Sequence, residues 1–200
     1  MRLPPDPDAE ILERFRAGDE QAFVDLVARY HHAMLRLAQT FVSSPQLAEE
    51  VTQDTWLAAL RGIDGFERRS SFRTWLFAIL ANRARSTGVR EQRTVPVDAT
   101  APAVDPGRFD SGGIWSDPPS DWAAAAEDRL DAQDLAVPLQ VALDALPTRQ
   151  RAVVLLRDVD GLSSEEVCAV LAISDANQRV LLHRGRSQLR GALEARIGAV

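Results

Sequence analysis

The chain has 200 residues, 46% apolar and 26% charged, the proportions of a soluble globular protein of one ordinary domain or two small ones. No apolar run is longer than the seven residues from Trp75 to Ala81, far short of the roughly 18 to 20 that span a bilayer, and Met1-Arg2-Leu3-Pro4-Pro5-Asp6 holds no apolar core. Neither membrane insertion nor a secretory signal is therefore expected, and a cytoplasmic protein is. A single cysteine, Cys168, cannot make an internal disulfide, and with His31, His32 and His183 it offers no metal-ligand spacing, so neither metal nor cofactor is expected.

The net charge of −6 argues against nucleic acid until it is divided along the chain. Residues 1–94 carry 13 Arg and 13 acidic residues, 95–127 carry 1 Arg and 6, and 128–200 carry 9 Arg and 10. The acidity sits in the middle. Arginines bunch on either side of it, at 61, 68, 69, 73, 83, 85, 90 and 93 and again at 179, 184, 186, 190 and 196. All 23 basic residues are Arg, a choice that suits bidentate recognition and equally suits a GC-rich genome.

In chain order, Phe23, Leu26, Val27, Tyr30, Met34, Leu37, Ala38 and Phe41 recur at three- and four-residue steps and predict a long amphipathic helix, broken at Pro45. A second helix is expected over 46–60, stopping at Gly62. A loop rich in Gly and Arg follows over 61–70. A third helix is expected from Ser71 to Gly88, with Phe72, Trp75 and Ile79 on its apolar face; these three and Trp56 are read as core. Between Val95 and Asp121 five prolines, three glycines and weak periodicity read as a linker. The expected architecture is therefore all-α: two small helical domains, 1–94 and 128–200, joined by a Pro/Gly-rich acidic linker over 95–127.

In the second domain Pro138 starts or kinks a helix through Leu146, Pro147-Thr148 opens another through Arg157, and Gly161 ends the turn after it. Ser163-Ser164-Glu165-Glu166 is a capping box before Val167, Val170 and Leu171. After Ala172-Ile173, Ser174 can cap a second helix with apolar positions Leu182, Gly185, Leu189 and Leu193. Two short helices joined by a tight turn, the second laden with Arg, make a helix-turn-helix with Cys168 in a small buried position.

The string Leu146-Pro147-Thr148-Arg149-Gln150-Arg151-Ala152-Val153-Val154-Leu155-Leu156-Arg157-Asp158-Val159-Asp160-Gly161-Leu162-Ser163, running into Glu165-Glu166-Val167, closely resembles domain 4 of the extracytoplasmic-function (ECF) sigma factors of the bacterial sigma-70 family. Independently, Asp19-Glu20-Gln21-Ala22-Phe23, Ala48-Glu49-Glu50-Val51-Thr52-Gln53-Asp54-Thr55-Trp56-Leu57, Ser71-Phe72-Arg73-Thr74-Trp75-Leu76 and Ala81-Asn82-Arg83 resemble domain 2 of that family. The chain departs from the family pattern at Gln178, where an apolar residue is usual, and at Leu181, where a basic one is frequent. Ala172 replaces a turn glycine, which alanine can do if the turn avoids positive φ.

The resemblance implies an RNA polymerase sigma factor that binds core polymerase at the β′ clamp and β flap and directs promoter-specific initiation. It implies that Glu50, Gln53, Asp54 and Leu57, at helical spacing, grip the β′ clamp. For the −10 element and its melting it implies Phe66, Arg68, Arg69, Arg73, Thr74, Asn82, Arg83 and Arg85, the loop holding a flipped non-template base. For the −35 element it implies Asn177, Gln178 and Arg179 at base edges and Arg184 and Arg186 at phosphates. A cognate anti-sigma factor is implied as a further partner. The acidic linker is placed by the resemblance near the RNA exit path, where its charge would mimic nascent RNA.

No Gly-rich phosphate loop, nucleophile elbow or metal-ligand cluster stands in the sequence, so an enzyme is not expected. The alternative reading is a self-sufficient helix-turn-helix regulator that binds DNA as a dimer and needs no polymerase.

Overall fold

The short side chains before each helix explain where the N-terminal helices begin. In a computed structural model of the protein, which describes residues 6–94 and 132–197, the Asp19 carboxylate accepts the Gln21 N–H at 2.9 Å, and Ser44 Oγ accepts that of Leu47 at 3.1 Å. These contacts satisfy free amides of the first turn. They open α2 (Glu20–Ala38) and α3 (Pro45–Gly62), with Pro45 at the first turn, where its missing N–H costs nothing. Ahead of them lies α1 (Ala9–Arg16), a helix not expected from the residue pattern, held by buried Leu12.

Ser71 opens α4 (Phe72–Thr94), its Oγ accepting the Thr74 N–H at 3.2 Å. The helix does not end at Gly88 as expected. A Cβ at that position would overlap the Phe41 backbone carbonyl, so Gly88 is a point of close helix approach inside a continuing helix. Leu26, Tyr30, Met34 and Leu37 of α2, Val51 and Trp56 of α3, and Phe72, Leu76, Phe77 and Leu80 of α4 form the core. Trp56 and Phe72 are core residues, as expected; Trp75 is only partly buried but packs against the core, whereas Ile79 is half-exposed.

The second group comprises α5 (Ala132–Asp144), with Pro138 inside it, and α6 (Thr148–Val154). The expected continuation to Arg157 is instead a π-helical turn, Leu155–Val159, where the Asp160 N–H reaches Leu155 O at 2.9 Å. The wider turn buries Leu155 and Leu156 together. Gly161, at φ 67°, reverses the chain into α7 (Ser164–Leu171), and α8 (Asp175–Ile197) follows. Every regular element among the described residues is helical. The stretch 95–127, with Trp115 and Trp122, lies outside them, as do residues 1–5.

The α7–α8 turn corrects one expectation. Ala172 sits at φ 53°, ψ 49°, the left-handed conformation an L-residue pays for, so the turn does not avoid positive φ. Cys168 is half-buried rather than fully enclosed. A Cβ on Gly185 would lie 2.7 Å from Val154 Cγ2, so only glycine lets α8 pack this closely on α6.

Candidate polymerase and nucleic-acid interface

The capping box at the start of α7 forms in full: Glu166 N–H donates to Ser163 Oγ, and Ser163 N–H donates to Glu166 Oε2 at 2.8 Å. Glu166 does more than cap. Its Oε1 accepts from Thr74 Oγ1 at 3.0 Å and Ser71 Oγ at 3.1 Å, and Arg73 lies 3.5 Å from Oε2. The α7 N-terminus is thus bonded to the α4 N-terminus, and the two helices pack along each other.

Other contacts extend this seam. Arg85 donates to Val170 O at 3.3 Å and lies over the Phe41 ring. Arg73 donates to Asp160 O at 3.1 Å, and Arg36 pairs with the Asp160 carboxylate at 2.7 Å. Burial pushes the Asp160 carboxyl up, against the opposing pull of Arg36 and Arg73. Burial also acts to raise Glu166, but hydrogen bonds from Ser163, Thr74 and Ser71 and the Arg73 charge outweigh it and hold that carboxyl low. Three residues expected at the −10 element, Arg73, Thr74 and Arg85, therefore face the second group of helices.

The rest of that set divides. Arg68, Arg69, Asn82 and Arg83 are exposed. Phe66 is not: its ring packs 5.0 Å from Trp75 and 6.0 Å from Phe72, and it is buried. Such a ring cannot offer a face to a base without leaving the core. Asn82 and Arg83 share an open groove of about 480 Å³ with Asp54, and Arg83 lies 3.9 Å from the Asp54 carboxylate.

Glu50, Gln53, Asp54 and Leu57 emerge on one exposed stripe of α3, while Val51, Thr52, Thr55 and Trp56 face inward. Leu57, the apolar member of the stripe, is 48% exposed. Leu60 continues the stripe.

On α8, Ser174 Oγ accepts the Asn177 N–H at 3.2 Å, as the capping expectation required. Arg179 is exposed and paired with Asp175 at 2.7 Å, and Arg184 is exposed. Arg186 is held by two bonds to Asp158, at 2.6 and 2.9 Å, which a phosphate would have to displace. Gln178 corrects a further expectation, being 1% exposed and unable to reach a base edge from this position. Its Oε1 accepts from Ser164 Oγ at 2.9 Å, and its Nε2 is buried without a partner. The signal was present in the spacing, since 178, 182, 185 and 189 form one helical face.

Residues 26–94 match the family model for Sigma-70 region 2, and residues 136–189 match that for Sigma-70, region 4. The ECF RNA polymerase sigma-E factor of Salmonella typhi is 30% identical over 182 residues, 91% of this chain and 92% of that protein. The chain belongs to the ECF sigma factors. The RNA polymerase sigma-H factor of Pseudomonas aeruginosa is likewise 30% identical, over 192 residues and 96% of both chains. Among solved structures, CnrH in complex with the cytosolic domain of CnrY superposes with a TM-score of 0.60 at 25% identity, covering 95% of this chain and 99% of that one. The sigma factor RpoE of Bartonella quintana, in complex with the anti-sigma factor NepR, gives 0.57 at 26% identity over 85% and 97%. ECF sigma factors are transcription initiation factors and not enzymes, and no helix among the described residues is long and apolar enough to cross a membrane.

Proposed function

We propose that this sigma factor binds core RNA polymerase through the exposed α3 stripe, docks its second domain on the β flap, and directs initiation at promoters with paired −35 and −10 elements. The observation that carries the reading is that the two matched regions stand in family order, with Glu50, Gln53, Asp54 and Leu57 exposed on a helix whose other face is core. On the promoter, Asn177 and Arg179 at the start of α8 read −35 base edges while Arg184 and Arg186 meet phosphates. Arg68, Arg69 and the polar face of α4 follow the −10 strand, and the loop over 62–71 captures an unstacked base, which offsets the few kcal/mol of flipping it. The protein works in the cytoplasm, where its polymerase is.

Two consequences follow from the seam between α4 and α7. Arg73, Thr74 and Arg85 meet DNA only when α7 moves away, so assembly with polymerase separates the two domains. An anti-sigma factor that covers the α3 stripe and α4 keeps the protein silent. The reading is tested by native-gel comigration with core polymerase: a shifted complex is expected, and its absence with folded protein refutes core binding.

A further inference from the structure

We propose that Arg16 is a positioning residue for base capture: from α1 it holds the loop that, on the reading above, receives the flipped −10 base. One guanidinium nitrogen of Arg16 donates to Phe66 O at 2.9 Å and to Ile63 O at 3.2 Å. These carbonyls bracket the 3-10 turn Ile63–Gly65, so the contact fixes the turn's two ends together. The Arg16 side chain is 26% exposed, sheltered enough for such bonds to hold against water.

Two neighbours grip the same loop farther along. Glu13 pairs with Arg68, and Arg68 stands at φ 55°, a left-handed conformation that an L-residue keeps only when its surroundings impose it. Asp6 Oδ2 accepts the Phe72 N–H at 2.8 Å, where the loop becomes α4. Residues 6–16 therefore hold the loop at its start, its strained middle and its end. Packing of α1 alone needs none of this, because buried Leu12 and the Phe15–Phe23 ring contact at 5.8 Å already seat the helix. The brace also lies outside residues 26–94, the segment matched to Sigma-70 region 2.

Because loop conformation sets which base fits, loss of the brace should blur base choice before it weakens binding elsewhere. The experiment compares holoenzymes carrying wild-type, Arg16→Ala and Arg16→Lys protein on forked −10 oligonucleotides with each base, or an abasic site, at each single-stranded position. Wild type should prefer one base at one position. Arg16→Ala should cut that preference about tenfold, with holoenzyme assembly and −35 duplex binding unchanged within about twofold. Arg16→Lys, which keeps a donor for the carbonyls, should retain most of the preference. An unchanged preference in assembled Arg16→Ala holoenzyme, or an equal loss at all positions, overturns the proposal. Should Arg16→Ala fail to fold, Glu13→Gln carries the same test: a reduced preference supports the brace and an unchanged one overturns it. A wild-type holoenzyme with no base preference at any position refutes the loop reading itself, and the brace with it.

Discussion

Thr74 Oγ1 donates to Glu166 Oε1 at 3.0 Å, joining the first turn of the helix expected at the −10 element to the first turn of the helix-turn-helix. The bond places a carboxylate at the N-terminus of α4, where the helix dipole favours negative charge. It also covers Thr74, so on the proposed reading this contact must open before Thr74 can meet DNA.

Removing the two hydroxyl donors with Ser71→Ala and Thr74→Val leaves the Ser163–Glu166 capping box untouched and should loosen the seam. The expected result is a larger radius of gyration by small-angle scattering of the free protein. Acid should do the same. Because folding lowers the Glu166 pKa, its stabilising contribution is fully present above the ordinary glutamate value of about 4.3 and is lost as pH falls through the folded value. Glu166→Gln, measured across that range, should remove this pH dependence; an unaltered acid expansion would assign it to another group.

Ala172 occupies a left-handed position at φ 53°. Ala172→Gly should therefore stabilise the protein by about 0.5 to 1 kcal/mol, the relief of strain less the greater freedom of glycine in the unfolded chain. Urea denaturation measures it, and a destabilised variant would show that the strain is relieved elsewhere.

Gln178 and Arg179 are adjacent in sequence and opposite in exposure. Gln178→Leu removes a buried amide nitrogen without a partner, while Ser164 Oγ keeps its bond to Asp175 at 3.1 Å, so stability should hold or rise. Recognition at −35 should not change. In the holoenzyme, Arg179→Ala should cost about 1 to 3 kcal/mol at one −35 position, and Arg184→Ala should weaken all promoters alike and lower the salt slope by about one ion. Mismatched −35 duplexes across a salt series separate the two.

Gln53 and Asp54 are both exposed, and the 3.9 Å approach of Asp54 to Arg83 is a loose surface pairing, so Gln53→Ala with Asp54→Arg should leave the melting temperature near wild type. Binding to core polymerase should be lost. Full-strength binding by the folded double variant would remove the α3 stripe from the polymerase interface.

The sequence showed what depends on neighbours along the chain. The Ser163–Glu166 box, the Ser174 cap and the core face of Phe72 all follow from spacing within one helix, and the structure has them. What depended on distant partners was not legible. Gly88 reads as a stop until the Phe41 carbonyl is seen filling the place of its Cβ. Phe66 reads as a stacking platform until Phe72 and Trp75 close over it. Glu166 reads as a cap, and nothing local announces that Ser71 and Thr74 share it. The bracing residues Asp6, Glu13 and Arg16 carry no motif, because what they contact lies about 50 residues away or more in sequence, as in the Arg16–Phe66 bond.

Sigma activity itself is tested most directly by run-off transcription with purified core polymerase on a library of promoter fragments. Core polymerase alone should select no start sites, and addition of this protein should yield discrete transcripts from fragments sharing one −35 and one −10 sequence at a fixed spacing. Transcripts that do not change on addition, together with tight binding of the free protein as a dimer to duplex DNA, would contradict sigma activity and identify a self-sufficient regulator instead.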